Sequence, residues 1–168
     1  MNVTPRVDTG SGEKADIRDA MASYVTGITV VTTRFEGRDY GMTCNSFNSV
    51  SLEPPMVLWS VQRSAGSYTA FTQGGGYAVS ILSESQHDLV GRFTKGPYEE
   101  RFQDVETRRL ETERRIIEGA VAWFDCAIEN VVEAGDHDVL IGRVIDFGCD
   151  PTATPLAYAR GRFRAMDG

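Results

Sequence analysis

The chain of 168 residues has the length of one domain, and its 41% hydrophobic and 24% charged residues are typical of a globular protein. Its 24 acidic and 17 basic residues give a formal net charge of -7, which argues against nucleic-acid binding because that needs clustered Lys and Arg. No apolar run reaches the ~18 residues that a membrane-spanning helix needs.

The cysteines indicate the cellular compartment. Cys44, Cys126 and Cys149 are an odd number in no CxxC spacing. This argues against a disulfide framework and a zinc site, and it fits a reducing cytoplasm. The first residues carry no apolar core of the signal-peptide type. We therefore expect a cytoplasmic protein without a metal site.

The N-terminal part is predicted to be a leader followed by a short helix. Residues 1–14 are polar and predict a disordered leader, so that a single domain covers residues 15–166. Apolar residues at helical spacing predict a helix over Asp16–Tyr24. These residues are Ile17, Met21, Tyr24 and Val25.

The first half of the domain then changes to strands separated by turn signals. The predicted strands are Ile28–Thr33, Tyr40–Asn45, Ser49–Leu52, Met56–Val61 and Tyr77–Leu82. A short helix is expected over Ser64–Thr72. Capping-box spacing at Ser83–Gln86 opens another helix that reaches about Phe93.

The second half is dominated by a predicted hairpin. Lys95–Glu113 is charged and irregular, with Phe102 as its anchor. Two long strands, Val121–Val132 and His137–Phe147, flank a loop, and a last short strand is expected near the C-terminus within Pro155–Tyr158 and Arg162–Arg164. Strands do not alternate with long helices, so we expect a closed or split antiparallel barrel with a few short peripheral helices.

Several catalytic classes lack their motifs. The sequence has no P-loop, no Rossmann fingerprint and no G-x-S-x-G elbow. Only His87 and His137 are present, so a three-histidine metal site is impossible. Covalent and metal catalysis therefore have little support.

Small polar residues concentrate in Thr26–Thr29 and Gly41–Ser49. In a regular strand Thr43, Asn45 and Phe47 would share one face. Hydroxyls, an amide and backbone N–H groups beside a glycine suit an anionic heteroaromatic ligand. A polar transition from strand to loop explains the same residues, and residue chemistry alone leaves both interpretations open.

The order of these segments resembles the short-chain flavin reductase family. The resemblance covers about Asp16 to Arg164 and is carried by Thr26–Thr33, Gly41–Phe47, Ser49–Pro55, Tyr77–Leu82, Gln86, Arg92-Phe93, Arg101-Phe102, Glu118–Ala120, Glu133–His137 and Tyr158–Phe163. It implies a mostly β, Greek-key split barrel, usually a homodimer. It also implies hydride transfer from NADH or NADPH to FMN or FAD, which supplies reduced flavin to a partner monooxygenase.

The resemblance also implies which residues bind flavin. Residues that match flavin-lining positions are Thr26, Thr29, Thr43, Asn45 and Ser46. Backbone groups from Met42 to Ser46 are expected near the isoalloxazine edge, with Cys44 as an apolar filler rather than a redox thiol. Ser60–Ser67 matches the segment that holds the ribityl and phosphate groups, in which Ser60, Ser64 and Ser67 carry hydroxyls.

Three further residues have implied roles with an open alternative each. Arg92 matches a basic position near the phosphate or adenosine end, and a solvated surface charge is its alternative. His137, in a Gly-Asp-His motif, is expected to position the nicotinamide, and a surface histidine after a tight turn is the alternative. Phe163 is expected near the nicotinamide, or else packs on the barrel as a strand residue.

Because the cofactors carry the chemistry, no acid–base pair or nucleophile is expected. Alternative functions are a flavin-dependent oxidase on the same barrel, a non-catalytic flavin-binding or electron-carrier module, and a cofactor-free interaction protein. The sequence leaves open the choices between FMN and FAD and between NADH and NADPH.

Overall fold

A computed structural model of the chain describes residues 17–164, so the leader predicted for residues 1–14 and both ends of the predicted domain lie outside the described residues. The described chain is mostly β-strand with short helices, as the sequence predicts. The elements in order are α1 (17–21), β1 (Thr26–Gly27), β2 (Thr29–Phe35), β3 (Arg38–Cys44), β4 (Asn48–Leu52), β5 (Pro55–Gln62), α2 (Tyr68–Gln73), β6 (Gly76–Ile81), a 3-10 turn (Glu84–Gln86), α3 (His87–Thr94), a second 3-10 turn (Tyr98–Glu100), β7 (Thr107–Arg109), β8 (Arg115–Ile117), β9 (Ala122–Ala134), β10 (His137–Cys149), β11 (Ala157–Ala159) and β12 (Arg162–Arg164).

The main sheet has seven antiparallel strands in the order β3-β2-β6-β9-β10-β5-β4. Its edge strands, β3 and β4, follow each other in the chain. In a flat sheet six strand spacings would separate them by about 29 Å. The four Cα steps from Cys44 to Asn48 span at most about 14 Å. The sheet must therefore curl until its edges approach, which confirms the predicted split barrel.

The barrel core forms on the inner face of the curled sheet. Trp59 of β5 is fully buried, with its ring centroid 4.8 Å from that of Phe71 in α2 and 5.8 Å from that of Tyr77 in β6. Strand β2 is buried on both faces, because Val31 joins this core and Val30 joins a second cluster with Phe93 of α3. Helix α3 therefore covers the barrel from outside.

The two smaller sheets lie outside the barrel. Strands β1, β11 and β12 form one sheet, and β7 pairs with β8 in the other. The prediction that Lys95–Glu113 is wholly irregular is wrong, because this segment contains the three-residue strand β7. The anchor role of Phe102 is confirmed by its ring contact with Phe93, at 5.2 Å between centroids.

Helices α1 and α2 are shorter than the sequence predicts. Helix α1 ends at Met21 rather than Tyr24, because the bonds at Ser23 and Tyr24 span three residues and form turns. Helix α2 begins at Tyr68 rather than Ser64, since three-residue turns close around Ala65. The capping box is confirmed: the backbone N–H of Ser83 donates to Gln86 Oε1 at 3.1 Å.

Candidate functional site

Three of the predicted flavin segments meet where β3 crosses to β4. The Thr29 hydroxyl donates to the Cys44 carbonyl at 3.0 Å. Cys44 Sγ lies 3.6 Å from the Ser46 hydroxyl oxygen, which accepts a hydrogen bond from the backbone N–H of Ser60 at 2.9 Å. Polar contacts therefore join the start of β2, the end of β3 and the end of β5. We call the segment that passes from β3 to β4, residues 44–48, the crossing.

The register explains why Ser46 reaches Ser60. Asn48 in β4 pairs with Leu58 in β5, and two further steps along this register bring Ser46 opposite Ser60. The chain has left the ladder there, so a hydroxyl replaces the missing backbone acceptor. A backbone N–H that would be unpaired is thereby satisfied, and the crossing is held against β5.

Residues at the crossing differ in exposure. Thr29 is 2% exposed and Cys44 is also buried, so both support the crossing from its buried side. Asn45 and Ser46 are exposed, and Met42 and Thr43 are half-buried. Strand β3 ends at Cys44, so the predicted strand face shared by Thr43, Asn45 and Phe47 does not form. The Thr43 hydroxyl instead donates to the Val90 carbonyl of α3 at 2.9 Å.

The loop between β5 and α2 contains the predicted phosphate residues. Ser64 is exposed, whereas Ser67 is fully buried and its hydroxyl has no hydrogen-bond partner among residues 17–164. A buried hydroxyl without a partner is unfavourable, so the contacts of the described residues leave the Ser67 hydroxyl unexplained.

His137 lies at the start of β10, directly after the β9–β10 turn. It pairs with Gln62, and Val139 pairs with Ser60, so this end of β10 runs beside the part of β5 that the crossing contacts. His137 Nδ1 donates to Asp136 Oδ1 at 2.7 Å, and the histidine side chain is 41% exposed. In the neutral ring this hydrogen bond places the proton on Nδ1 and leaves Nε2 as an acceptor.

A buried carboxylate that sequence reasoning missed follows His137. Asp138 Oδ1 accepts from Arg63 Nε at 2.7 Å, and Asp138 Oδ2 accepts from the Tyr68 hydroxyl at 2.5 Å. These hydrogen bonds, from Tyr68 first and then from Arg63, lower the pKa of Asp138 despite its burial. An acidic residue inside a strand of apolar alternation was the available sequence signal.

Two predicted site residues lie in the small sheet β1–β11–β12. Thr26 pairs with Tyr158, and its buried hydroxyl has no partner within the described residues. Phe163 is 36% exposed and its ring centroid lies 4.4 Å from that of His87 and 5.4 Å from that of Tyr158. The structure thus brings Phe163 to the start of α3.

Arg92 lies on the exposed side of α3, where its guanidinium donates to the Gln103 carbonyl. Together with Lys95 and the buried Arg101 it lines a cavity of about 380 Å³. Glu100 and Asp104 line the same cavity, and Arg101 donates to the carbonyls of Gly41, Phe93 and Gly96, so Arg92 and Lys95 are the cations left to meet an anion there. The predicted roles of Arg92 and of the other site residues stay predictions.

Two further observations concern metal-binding clusters and membrane-spanning helices. Across residues 17–164, no group of three or more His, Cys, Asp and Glu side chains has an arrangement that could hold a metal ion. The helices in that range are all too short or too polar to cross a membrane.

Comparison with known proteins identifies the class. A family model described as "Flavin reductase like domain" matches residues 21–167. FMN reductase (NADH) SmoA of Agrobacterium fabrum is 34% identical over 154 residues, which cover 92% of this chain and 87% of that protein. The chain spans about half the length of some other curated relatives: a probable flavin reductase of Rhizobium meliloti is 40% identical over 88% of this chain and 47% of its own length.

Solved structures of similar fold support the same family. NADH:FAD oxidoreductase SgcE6 of Streptomyces globisporus, in complex with NAD and FAD fragments, has a TM-score of 0.88 and 33% identity, covering 98% of each chain. Nitrilotriacetate monooxygenase component B from Mycobacterium thermoresistibile has a TM-score of 0.88 and 31% identity, covering 94% of this chain and 88% of that one. The fold and sequence therefore define a split-barrel protein of the flavin reductase kind. The chain belongs to the flavin reductase like domain family.

Proposed function

We propose that this chain is an NAD(P)H:flavin oxidoreductase that supplies reduced FMN or FAD to a partner monooxygenase. The observation that carries the proposal is the position of Ser60. This residue lies between the polar crossing, through its N–H bond to Ser46, and the strand that begins with His137. A flavin at the crossing and a nicotinamide at His137 would therefore lie side by side.

The residues around the crossing fit a flavin. Exposed Asn45, Ser46 and Ser64 offer an amide and two hydroxyls, and the backbone from Met42 to Ser46 adds N–H donors. These groups suit a ring edge that gains negative charge, together with a ribityl chain. The unpartnered hydroxyls of Ser67 and Thr26 are further donors, while Thr29 and Cys44 hold the crossing in place.

The nicotinamide side relies on positioning. When both cofactors are bound, the chemistry that they supply is the transfer of a hydride from the nicotinamide to the flavin ring. His137 Nε2 accepts a hydrogen bond from an amide donor, and the Nδ1 bond to Asp136 holds the ring in orientation. Fixing two reactants in reacting geometry needs no acid, base or nucleophile from the protein. We also propose that Phe163 contacts the nicotinamide nucleotide and that Arg92 contacts the flavin phosphate or adenosine end.

An exposed apolar surface supports a homodimer. Large apolar side chains on β4, β9 and β10 are 42–86% exposed in the single chain. They are Val50, Leu52, Val131, Val132, Ile145 and Phe147. Apolar surface of this kind marks association sites. We propose that a second copy covers the part of this surface around Val132, which lies on the opposite face of the sheet from the core residues Leu140 and Trp59 and which we call the outer face.

The proposed setting is the cytoplasm. Cys44, Cys126 and Cys149 are free thiols, which fits a reducing compartment. The names of relatives supply the kind of partner: HsaB of Mycobacterium tuberculosis, 35% identical over 89% of this chain and 81% of that protein, is named a reductase subunit of a flavin-dependent monooxygenase.

Anaerobic absorbance measurements test the proposal. Purified protein is mixed with FMN or FAD and with NADH or NADPH, and the oxidised flavin band is followed. Bleaching well above the protein-free rate, for at least one of the four cofactor pairs, supports the proposed reaction. Flavin binding without bleaching by any pair would instead indicate an oxidase or a carrier, and protein that ignores flavin would indicate a cofactor-free interaction protein.

A further inference from the structure

The carboxylate of Asp138 closes the loop between β5 and α2. Its oxygens accept hydrogen bonds from Arg63 Nε at 2.7 Å and from the Tyr68 hydroxyl at 2.5 Å. Arg63 and Tyr68 directly flank the four residues Ser64–Ser67. One side chain thus holds both ends of the loop that contains the proposed phosphate residues.

Arg63 also makes contacts that hold the β9–β10 turn. The backbone N–H of Arg63 donates to the Asp136 carbonyl at 3.0 Å. The Arg63 guanidinium also lies 3.3 Å from the Glu133 carboxylate, on the other side of the turn. Because Asp138 is the neighbour of His137 in β10, the loop and the histidine share one anchor.

The anchor is charged and buried. The Asp138 side chain is 5% exposed, and such a carboxylate needs charged or strongly donating partners. Tyr68 and Arg63 provide both. Losing either partner leaves part of a buried charge unsatisfied, so the contacts resist independent movement of loop and turn.

We propose that Asp138 is a positioning residue that sets the spacing between His137 and the Ser64–Ser67 loop. It thereby aligns the nicotinamide nucleotide with the flavin. This inference depends on the proposed function, which assigns the nicotinamide nucleotide to His137 and the flavin to the Ser64–Ser67 loop. Asp138 does not touch either cofactor in this account, and its effect passes through His137 and through Ser64 and Ser67.

A second buried carboxylate provides a matched control. Asp125 in β9 is 2% exposed, its carboxylate contacts the Arg114 guanidinium, and it accepts from the Thr112 hydroxyl at 2.6 Å. Its partners lie on either side of Glu113, in the β7–β8 turn. Both carboxylates are held by one arginine and one hydroxyl, but Asp125 holds no proposed site residue.

The test compares Tyr68→Phe with Thr112→Val. Each variant removes one hydroxyl that donates a hydrogen bond to a buried carboxylate. We expect Tyr68→Phe to raise KM for the nicotinamide nucleotide and the flavin Kd by about fivefold each, because a loosened loop and turn populate the binding geometry less. Thr112→Val should lower the melting temperature similarly and leave both constants within about twofold. Asp138→Asn and Asp125→Asn repeat the comparison with larger effects.

Amide hydrogen exchange of the cofactor-free protein gives a readout that does not depend on turnover. Tyr68→Phe should speed exchange in residues 64–67 and 136–138 together, whereas Thr112→Val should change neither segment. A double-mutant cycle between Tyr68→Phe and His137→Ala should give effects on KM that are not additive.

The outcomes separate this inference from the proposed function. If the wild type reduces flavin and His137→Ala raises KM, but Tyr68→Phe and Asp138→Asn alter the constants no more than their controls, Asp138 is only a structural residue and the inference is wrong. A wild type that does not reduce flavin contradicts the proposed function itself, whereas a His137→Ala variant with wild-type KM contradicts the His137 contact and with it this inference.

Discussion

The Ser46 hydroxyl accepts a hydrogen bond from the backbone N–H of Ser60 at 2.9 Å. This bond joins the short connection between the two edge strands of the curled sheet to β5. Because β5 pairs on its other side with the start of β10, the crossing and His137 are linked through one strand.

Ser46→Ala should weaken flavin binding. The variant loses a proposed flavin contact and leaves the Ser60 N–H without its acceptor, so we expect the flavin Kd to rise about fivefold to tenfold. Fluorescence titration with FMN and FAD measures the change. Ser49→Ala, on the exposed part of the neighbouring strand β4, is the control and should bind flavin normally. Equal affinities for the two variants would remove Ser46 from the flavin site.

His137→Ala should affect the nicotinamide nucleotide selectively. We expect its KM to rise about tenfold while the flavin Kd stays unchanged, because the lost hydrogen bond is made to one cofactor only. Steady-state kinetics with each nucleotide, together with flavin titration, measure the two constants. Arg143→Gln, which breaks an exposed ion pair with Glu129 further along β10, is the control. Unaltered kinetics in His137→Ala would eliminate the proposed contact.

Asp39 should contribute stability that depends on pH. Burial raises its pKa, but hydrogen bonds from Arg109, Arg115 and Arg34 outweigh burial and lower the pKa from 3.8 to about 2. The unfolded chain therefore takes up this proton more readily. The stabilisation is fully present above pH 4 or so and is lost as the pH falls towards about 2.

We expect Asp39→Asn to lower the free energy of unfolding by about 1–3 kcal/mol at neutral pH, because three arginines lose a shared acceptor. The difference from the wild type should shrink below about pH 4. Urea unfolding across a pH series measures it, and the exposed Asp88→Asn is the control. A difference that stays constant down to pH 2 would show that the Asp39 charge is not the cause.

A charge on the outer face should break the proposed dimer. Val132 in β9 is 47% exposed, and we expect Val132→Lys to give a monomer, because the lysine would be buried without a partner in the interface. Light scattering coupled to size-exclusion chromatography measures the mass. Glu111→Lys, at an exposed position in the β7–β8 turn, is the control. A wild-type chain that is already monomeric would contradict the homodimer.

The strands of the barrel could be predicted because their residues alternate or are β-branched over five or more positions. The β7–β8 hairpin could not, since Thr107–Arg109 is short and rich in charge and is stabilised by distant partners such as Asp39. The predicted start of α2 at Ser64 is too early, because Arg63 and Tyr68 on either side of the Ser64–Ser67 loop are held by Asp138, which lies about seventy residues away in the chain.

The candidate site was predictable in composition but not in arrangement. Local sequence and family resemblance identified Ser46, Ser60 and His137. Their contact through β5 depends on the strand register, which only the folded sheet specifies. The inward position of Thr29 and the buried hydroxyl of Ser67 likewise depend on packing, which periodicity does not specify.

The most direct test of the central claim is anaerobic single-turnover flavin reduction with the nicotinamide nucleotide that reacts, NADH or NADPH, deuterated at one or the other C4 position. A nicotinamide held in one orientation beside the flavin must transfer from one face only. We predict that one isotopomer slows bleaching several-fold and that the other reacts at the undeuterated rate. Bleaching at the protein-free rate, or equal rates for both isotopomers, would contradict a shared site for the two cofactors.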